Sequence, residues 1–163
     1  MKQSNEDKLQ KITRSFLVHS NATLKGESFE PKKTDSFIVK IGKPWDIKPY
    51  VIKSITQPMI SIDGAASEEL QLEMYDPITP STSQAIWNGI RALEAKIPTE
   101  MKLPYNFQTK LILEIIGPIG DVVSRWEYTG QFVSFEFGKL DWESQDLSMI
   151  TATFTVDKCV HHF

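Results

Sequence analysis

The chain has a single cysteine, Cys159, so no internal disulfide can form, which fits a reducing compartment. No apolar run is long enough to cross a bilayer as a helix, and the start, Met1 to Asp7, lacks the apolar core of a secretory leader. Neither sign of charge dominates. With 18 Lys+Arg against 21 Asp+Glu the net charge is -3, which argues against a general nucleic-acid binder with its concentrated basic surface. There is no internal repeat and no low-complexity tract. These absences predict a protein made in a cytoplasm and soluble there. Its 163 residues, 40% hydrophobic and 24% charged, suffice for one globular domain with a core of its own.

Catalytic chemistry is also missing. Gly117 and Gly120 are followed by neither a Lys-Ser pair nor a helix, so they build no phosphate loop. His161 and His162 stand near Cys159, but adjacent residues of an extended segment point to opposite faces, and a fourth metal ligand is lacking. Asp141, Glu143 and Asp146 lack the spacing and glycine of a calcium loop and read as a solvated turn. Pro31-Lys32-Lys33 is too short for a nucleic-acid patch. His19 and the scattered serines form no triad that sequence reveals. Trp45, Trp87, Trp126 and Trp142 read as packing or interface anchors. The expectation is a non-enzyme that uses no cofactor and no metal.

What is present is mostly strand. Ile150 to Asp157 alternates apolar and polar without a break, the pattern of a strand with one face on a core. Its wet side carries Thr151, Thr153 and Thr155, β-branched residues that keep a polar strand stiff, and then Asp157. Glu69, Gln71 and Glu73 alternate in the same way with Leu70, Leu72 and Met74. Further strands are expected at Phe37–Ile41, Tyr50–Ile55 and Leu111–Ile116, the last covered on both faces. Another runs from Val122, with a bend or bulge at Gly130 and with Val133, Phe135 and Phe137 on one face. Gly117 to Asp121 has the residues of a reversing turn.

One helix stands among the strands. Pro80 to Ser83 supplies its N-cap, Ile86, Ile90 and Leu93 its apolar stripe with Trp87 extending it, and Pro98 its end. The expected fold is mainly β with a flanking α-helix, two packed antiparallel sheets around one core.

Residues 1–34 read differently from 35–163. Leu9, Ile12 and Phe16 form the apolar stripe of a short amphipathic helix expected before Asn21, followed by a polar arm from Asn21 to Thr34. The stripe packs either on its own domain or on a neighbouring subunit.

The phrase Phe137 to Cys159, with Leu140-Asp141-Trp142-Glu143 before the alternating strand, resembles the carboxy-terminal hairpin of contractile phage tail tube proteins. The order of the body matches too: "SFIVKI", then "ITQPMISIDG", "EELQLEMYDP", the helix "SQAIWNGIRALEA" and the last strands. The resemblance covers roughly residues 35 to 160 and is similar to the inner tube of T-even phages. Tubes of type VI secretion and pyocin-like injectors are more distant. It implies a half-barrel that closes with its copies into a hexameric β-barrel ring, with rings stacked as a virion tail tube that conducts DNA. The implied partners are further copies, the tail sheath protein, the tape-measure protein, and the baseplate and tail terminator proteins. DNA would pass without specific binding, and no membrane is involved.

On that reading Glu69, Gln71, Glu73, Thr151, Thr153, Thr155 and Asp157 face the lumen; without assembly they are solvated outer faces. Leu9, Ile12, Phe16 and Trp142 are the expected subunit contacts. A longer amino end than a minimal tube subunit leaves a baseplate tube initiator as an alternative. A monomeric β-sandwich binding module is the alternative from another class.

Overall fold

β1 (Phe37–Ile41), β2 (Ile52–Thr56), β3 (Glu69–Tyr75), α1 (Thr82–Glu94), β4 (Thr109–Ile116), β5 (Val122–Phe137) and β6 (Met149–His161) follow one another along the chain. The computed structural model describes residues 32–59, 69–97 and 107–163. All of these but 32 and 33 belong to one compact unit, Thr34–Phe163. The stripe Leu9, Ile12 and Phe16 lies outside the described residues.

The strands form a single antiparallel sheet in the order β1-β4-β5-β6-β3-β2. It curls into a nearly closed barrel. The mainly β fold with one flanking helix is as expected, and the two packed layers are the two halves of this one ladder. Side chains from both halves meet in one core: Val39, Leu111 and Leu113 from the first half, Leu70, Leu72, Met74, Ile150, Ala152 and Phe154 from the second. Because both halves bury their inner faces in the same cluster, their outer faces point away from each other.

β5 and β6 make the curl possible. β5 is 16 residues long, a rise of about 50 Å. Its first part, up to Gly130, pairs with β4, while Trp126 to Phe137 pairs with β6. The register slips at Thr129/Gly130 and again at Phe132/Ser134, and such bulges bend a strand and sharpen its twist. Gly130 is required by the first one. A Cβ there would lie 1.8 Å from the Thr155 carbonyl oxygen, far inside contact distance.

The second bulge corrects the expectation for β5. Phe132 and Phe135 both pack on the core, while Val133 and Phe137 are exposed. A strict period of two puts Val133 and Phe135 together; one extra residue puts Phe135 with Phe132.

Two other expectations are corrected. Pro49–Val51 is a short 3-10 turn and β2 begins at Ile52, because proline presets the turn and has no amide for a ladder. Trp87 does not extend the buried stripe of α1: it is 51% exposed. Ile86 is fully buried, Ala85, Ile90 and Leu93 pack on the core beside it, and Gly89 faces the indole of Trp45.

α1 starts as the sequence suggests. The Ser81 hydroxyl accepts from Gln84 N at 3.2 Å. Asp76 adds what the sequence did not suggest: its Oδ1 accepts from Thr82 N at 2.9 Å and Ser83 N at 3.1 Å. A carboxylate on the first free amides of a helix satisfies them and complements the helix dipole. The turn between β4 and β5 is closed by Gly117 N donating to Asp121 O at 2.7 Å, with Gly120 at φ 86°, a conformation that favours glycine.

Candidate functional site

The two polar sets singled out in the sequence lie side by side. β3 pairs with β6 so that Glu69 is opposite Thr155, Gln71 opposite Thr153, and Glu73 opposite Thr151. Directly paired residues project to the same face of a sheet, so the six form one patch. Their alternating partners, Leu70, Leu72, Met74, Ala152 and Phe154, are fully buried on the other side.

Register adds strands that alternation did not reveal. On β5, Gln131, Ser134 and Glu136 stand opposite Thr155, Thr153 and Thr151. On β2, Thr56 and Ser54 stand opposite Gln71 and Glu73. The Ser54 hydroxyl donates to Glu73 Oε2 at 2.9 Å. The result is a wall four strands wide, made of hydroxyls, amides and the carboxylates Glu69, Glu73 and Glu136. Among the described residues its one cation is at the β2 edge, where Lys53 Nζ lies 3.9 Å from Glu73 Oε2. β5 was missed because its bulge at Phe132/Ser134 breaks the period that marks the other strands.

Asp157 does not join this patch as a ladder member. It lies beyond the β3 pairing, at the register slip opposite Thr129/Gly130, and Gln108 Nε2 donates to its Oδ2 at 3.4 Å.

Trp142 sits in the exposed connection between β5 and β6, with no contact to the core. Leu140 and Leu147 beside it are 85% and 71% exposed. Within this loop Lys139 pairs with Asp141 at 2.8 Å and Asp141 Oδ1 accepts from Glu143 N. Lys139 therefore holds the Asp141 carboxyl below its usual range.

The two histidines fall on opposite faces of the sheet. His161 lies within hydrogen-bond distance of the buried Ser124 hydroxyl at 3.1 Å and packs on Trp126. His162 faces Glu127 at 3.3 Å on the outer side. Glu127 also accepts from Lys110 at 2.8 Å, and Lys110 first, then His162, depresses its pKa. Among the described residues no three His, Cys, Asp or Glu side chains converge as metal ligands, and no helix is long and apolar enough to cross a membrane.

No family model matches the sequence, and no curated protein matches it either. Solved structures do match. A chain of the sheath/tube terminator of an extracellular contractile injection system, PVC, in its extended state aligns with TM-score 0.59 at 12% identity, covering 84% of this chain and 100% of that one. A chain of the PVC sheath-tube complex aligns with TM-score 0.58 at 13% identity over 87% and 95%. A chain of the anti-feeding prophage cap, its tube-terminating cap, aligns with TM-score 0.57 at 12% identity over 85% and 97%. The described chain therefore carries a tail-tube-like fold, the fold found in tube, cap and terminator assemblies of contractile injection systems.

Proposed function

We propose that the chain is a structural subunit of a contractile tail tube, forming stacked six-membered rings whose channel is lined by the wall of β2, β3, β6 and the far half of β5. The observation that carries this reading is the wall itself: a face with three carboxylates and a single edge lysine among the described residues, on a tail-tube-like fold. DNA adheres to proteins chiefly through cations that displace its counterions. A hydroxyl and carboxylate lining offers few such contacts and repels phosphates, so a strand slides along it.

Assembly has a physical cause in the sheet. β1 and β2 end the ladder, and an edge strand presents unpaired amides and carbonyls. Closure of copies around a ring removes those edges. The segment 1–34 serves as an arm on the domain 35–163, with Leu9, Ile12 and Phe16, and Trp142 on the domain, as contacts between subunits. The sheath, the tape-measure protein, the baseplate and the tail terminator are the partners of such a tube, which resides in the virion tail after synthesis in the host cytoplasm. Likeness to structural tube and cap assemblies supports a non-enzymatic role.

The test is charge reversal on the wall. Glu69→Lys with Glu73→Lys leaves assembly intact and slows or stalls DNA passage. Unchanged ejection kinetics in particles built from the variant would contradict the lumen assignment.

A further inference from the structure

The half of the barrel facing away from the polar wall has a different outer surface. Register places its residues in three rows. Lys40, Ile112, Glu127 and Val160 form one row across β1, β4, β5 and β6. Ile38, Glu114 and Arg125 form the next, extended by His162, whose amide donates to the Arg125 carbonyl. Lys110, Thr129 and Lys158 form the third.

The two carboxylates here are already engaged. Glu114 is held by Lys40 at 2.7 Å and Arg125 at 3.0 Å, and Glu127 by Lys110 and His162. The four cations Lys40, Lys110, Arg125 and Lys158 exceed the two acids, Glu114 and Glu127, by two charges. Lys158 is exposed and has no ion pair among the described residues. The cations are interleaved with Ile38, Ile112 and Val160.

The loop between β5 and β6 is its complement. Lys139 against Asp141, Glu143 and Asp146 leaves an excess of two negative charges, on a loop that exposes Leu140, Trp142 and Leu147. The loop cannot reach the basic face of its own chain. It caps the far end of the hairpin, about ten residues of extended strand, or roughly 30 Å, from Lys110 and Glu127.

We propose that the acidic, tryptophan-bearing tip of one copy docks on the basic face β1-β4-β5-β6 of a second copy. Two observations select this occupant. The signs and sizes of the charge excess match, and both surfaces interleave charge with apolar side chains, exposed at Leu140, Trp142, Leu147 and Ile38 and half-buried at Ile112 and Val160, as an interface core with a polar surround requires. Among the described residues the acidic polar wall has no large apolar side chain apart from Val133 at its bulge, so it offers nothing to Ile38, Ile112 and Val160. Nucleic acid fits less well, since Glu114 and Glu127 stand within the rows and repel phosphates. Tip and basic face lie at different ends of the hairpin, so the contact is head-to-tail and propagates.

This contact rests on the assembly reading and assigns its propagating interface. Two measurements test it, both in tubes of the full chain. The first is a charge swap. Glu143→Lys alone and Lys158→Glu alone each raise the concentration needed for assembly roughly tenfold, and the pair together restores most of it. Single effects that simply add in the double variant would overturn the contact.

The second is cross-linking in a Cys159→Ser background, which removes the only native thiol. Trp142→Cys with Ile112→Cys yields a ladder of covalent multimers on mild oxidation. Rings or tubes that form without this ladder overturn the contact while the assembly reading stands. Absence of any association between copies overturns both. Equal weakening of binding to a nucleic-acid probe, with assembly unchanged, assigns the basic face to nucleic acid instead and overturns the proposal.

Discussion

The ring of Trp45 lies directly over Gly89 of α1: a Cβ on Gly89 would come within 2.4 Å of indole Cε3 and 2.7 Å of Cζ3. Trp45 is held from the other sides, by Phe132 at 5.3 Å, by Phe135 at 5.2 Å, and by its Nε1 donating to Thr109 Oγ1 at 3.2 Å. The indole therefore fixes how closely the helix approaches the sheet.

Gly89→Ala destabilises the domain for that reason. Alanine would favour an exposed helix by about 1 kcal/mol, but here the methyl collides with a ring that cannot retreat. Overpacking of this kind costs about 1–3 kcal/mol, so the net change is a loss of up to about 2 kcal/mol. Chemical denaturation read by tryptophan fluorescence measures it; a gain in stability would show that the helix is free to shift.

Asp76→Ala removes the acceptor for two helix amides and leaves Ser81 as the cap. The expected loss is about 1 kcal/mol, in the range of other cap deletions. Asp76→Asn keeps an acceptor without the charge and loses less. Thermal unfolding of the two variants separates the hydrogen bond from the charge.

Tyr128 titrates late. Burial raises its phenol, against a smaller downward pull from the Gln57 amide that donates to its oxygen at 3.1 Å, to about 12. The unfolded chain ionises this tyrosine near its ordinary value of about 10 and so holds fewer protons than the folded one between those values. Stability contributed by the protonated phenol is complete below about pH 10 and falls as pH rises toward 12. Phenolate absorbance during an alkaline titration reports this, and Tyr128→Phe removes the late step.

Glu114 is a buried acid on an outer face, its side chain 7% exposed, with Lys40 and Arg125 at 51% and 40%. Removing one member of a fully buried pair costs about 3–5 kcal/mol because a charge is stranded. Here the remaining cations reach water, so Glu114→Ala costs about 1 kcal/mol, mostly through lost packing and hydrogen bonds. Glu114→Leu is close to neutral. A loss above 3 kcal/mol for the leucine variant, by urea unfolding, would mean that the cations are not relaxed by solvent.

Strands whose burial is one-sided were legible. β3 and β6 alternate because Leu70, Leu72, Met74, Ile150, Ala152 and Phe154 all enter one core, and the helix announces itself through Ser81 and Ile86. What the sequence could not show is pairing between distant strands. β1 pairs with β4, and Lys40 reaches Glu114 across a separation of 74 residues in sequence. The extra residue at Phe132/Ser134 has no glycine or proline to mark it, so the β5 strand of the polar wall, Gln131, Ser134 and Glu136, emerges only from the register. The turn at Pro49–Val51 was missed because Tyr50, Val51 and Ile52 have strong strand propensity that one proline overrides.

Solution mass and negative-stain electron microscopy across a concentration series of the purified chain decide whether copies of it assemble. A tube subunit gives hollow rings or tubes with sixfold end views, growing with concentration or on addition of baseplate proteins. A particle that keeps the monomer mass at every concentration, and with those proteins present, would contradict assembly and favour a monomeric binding module.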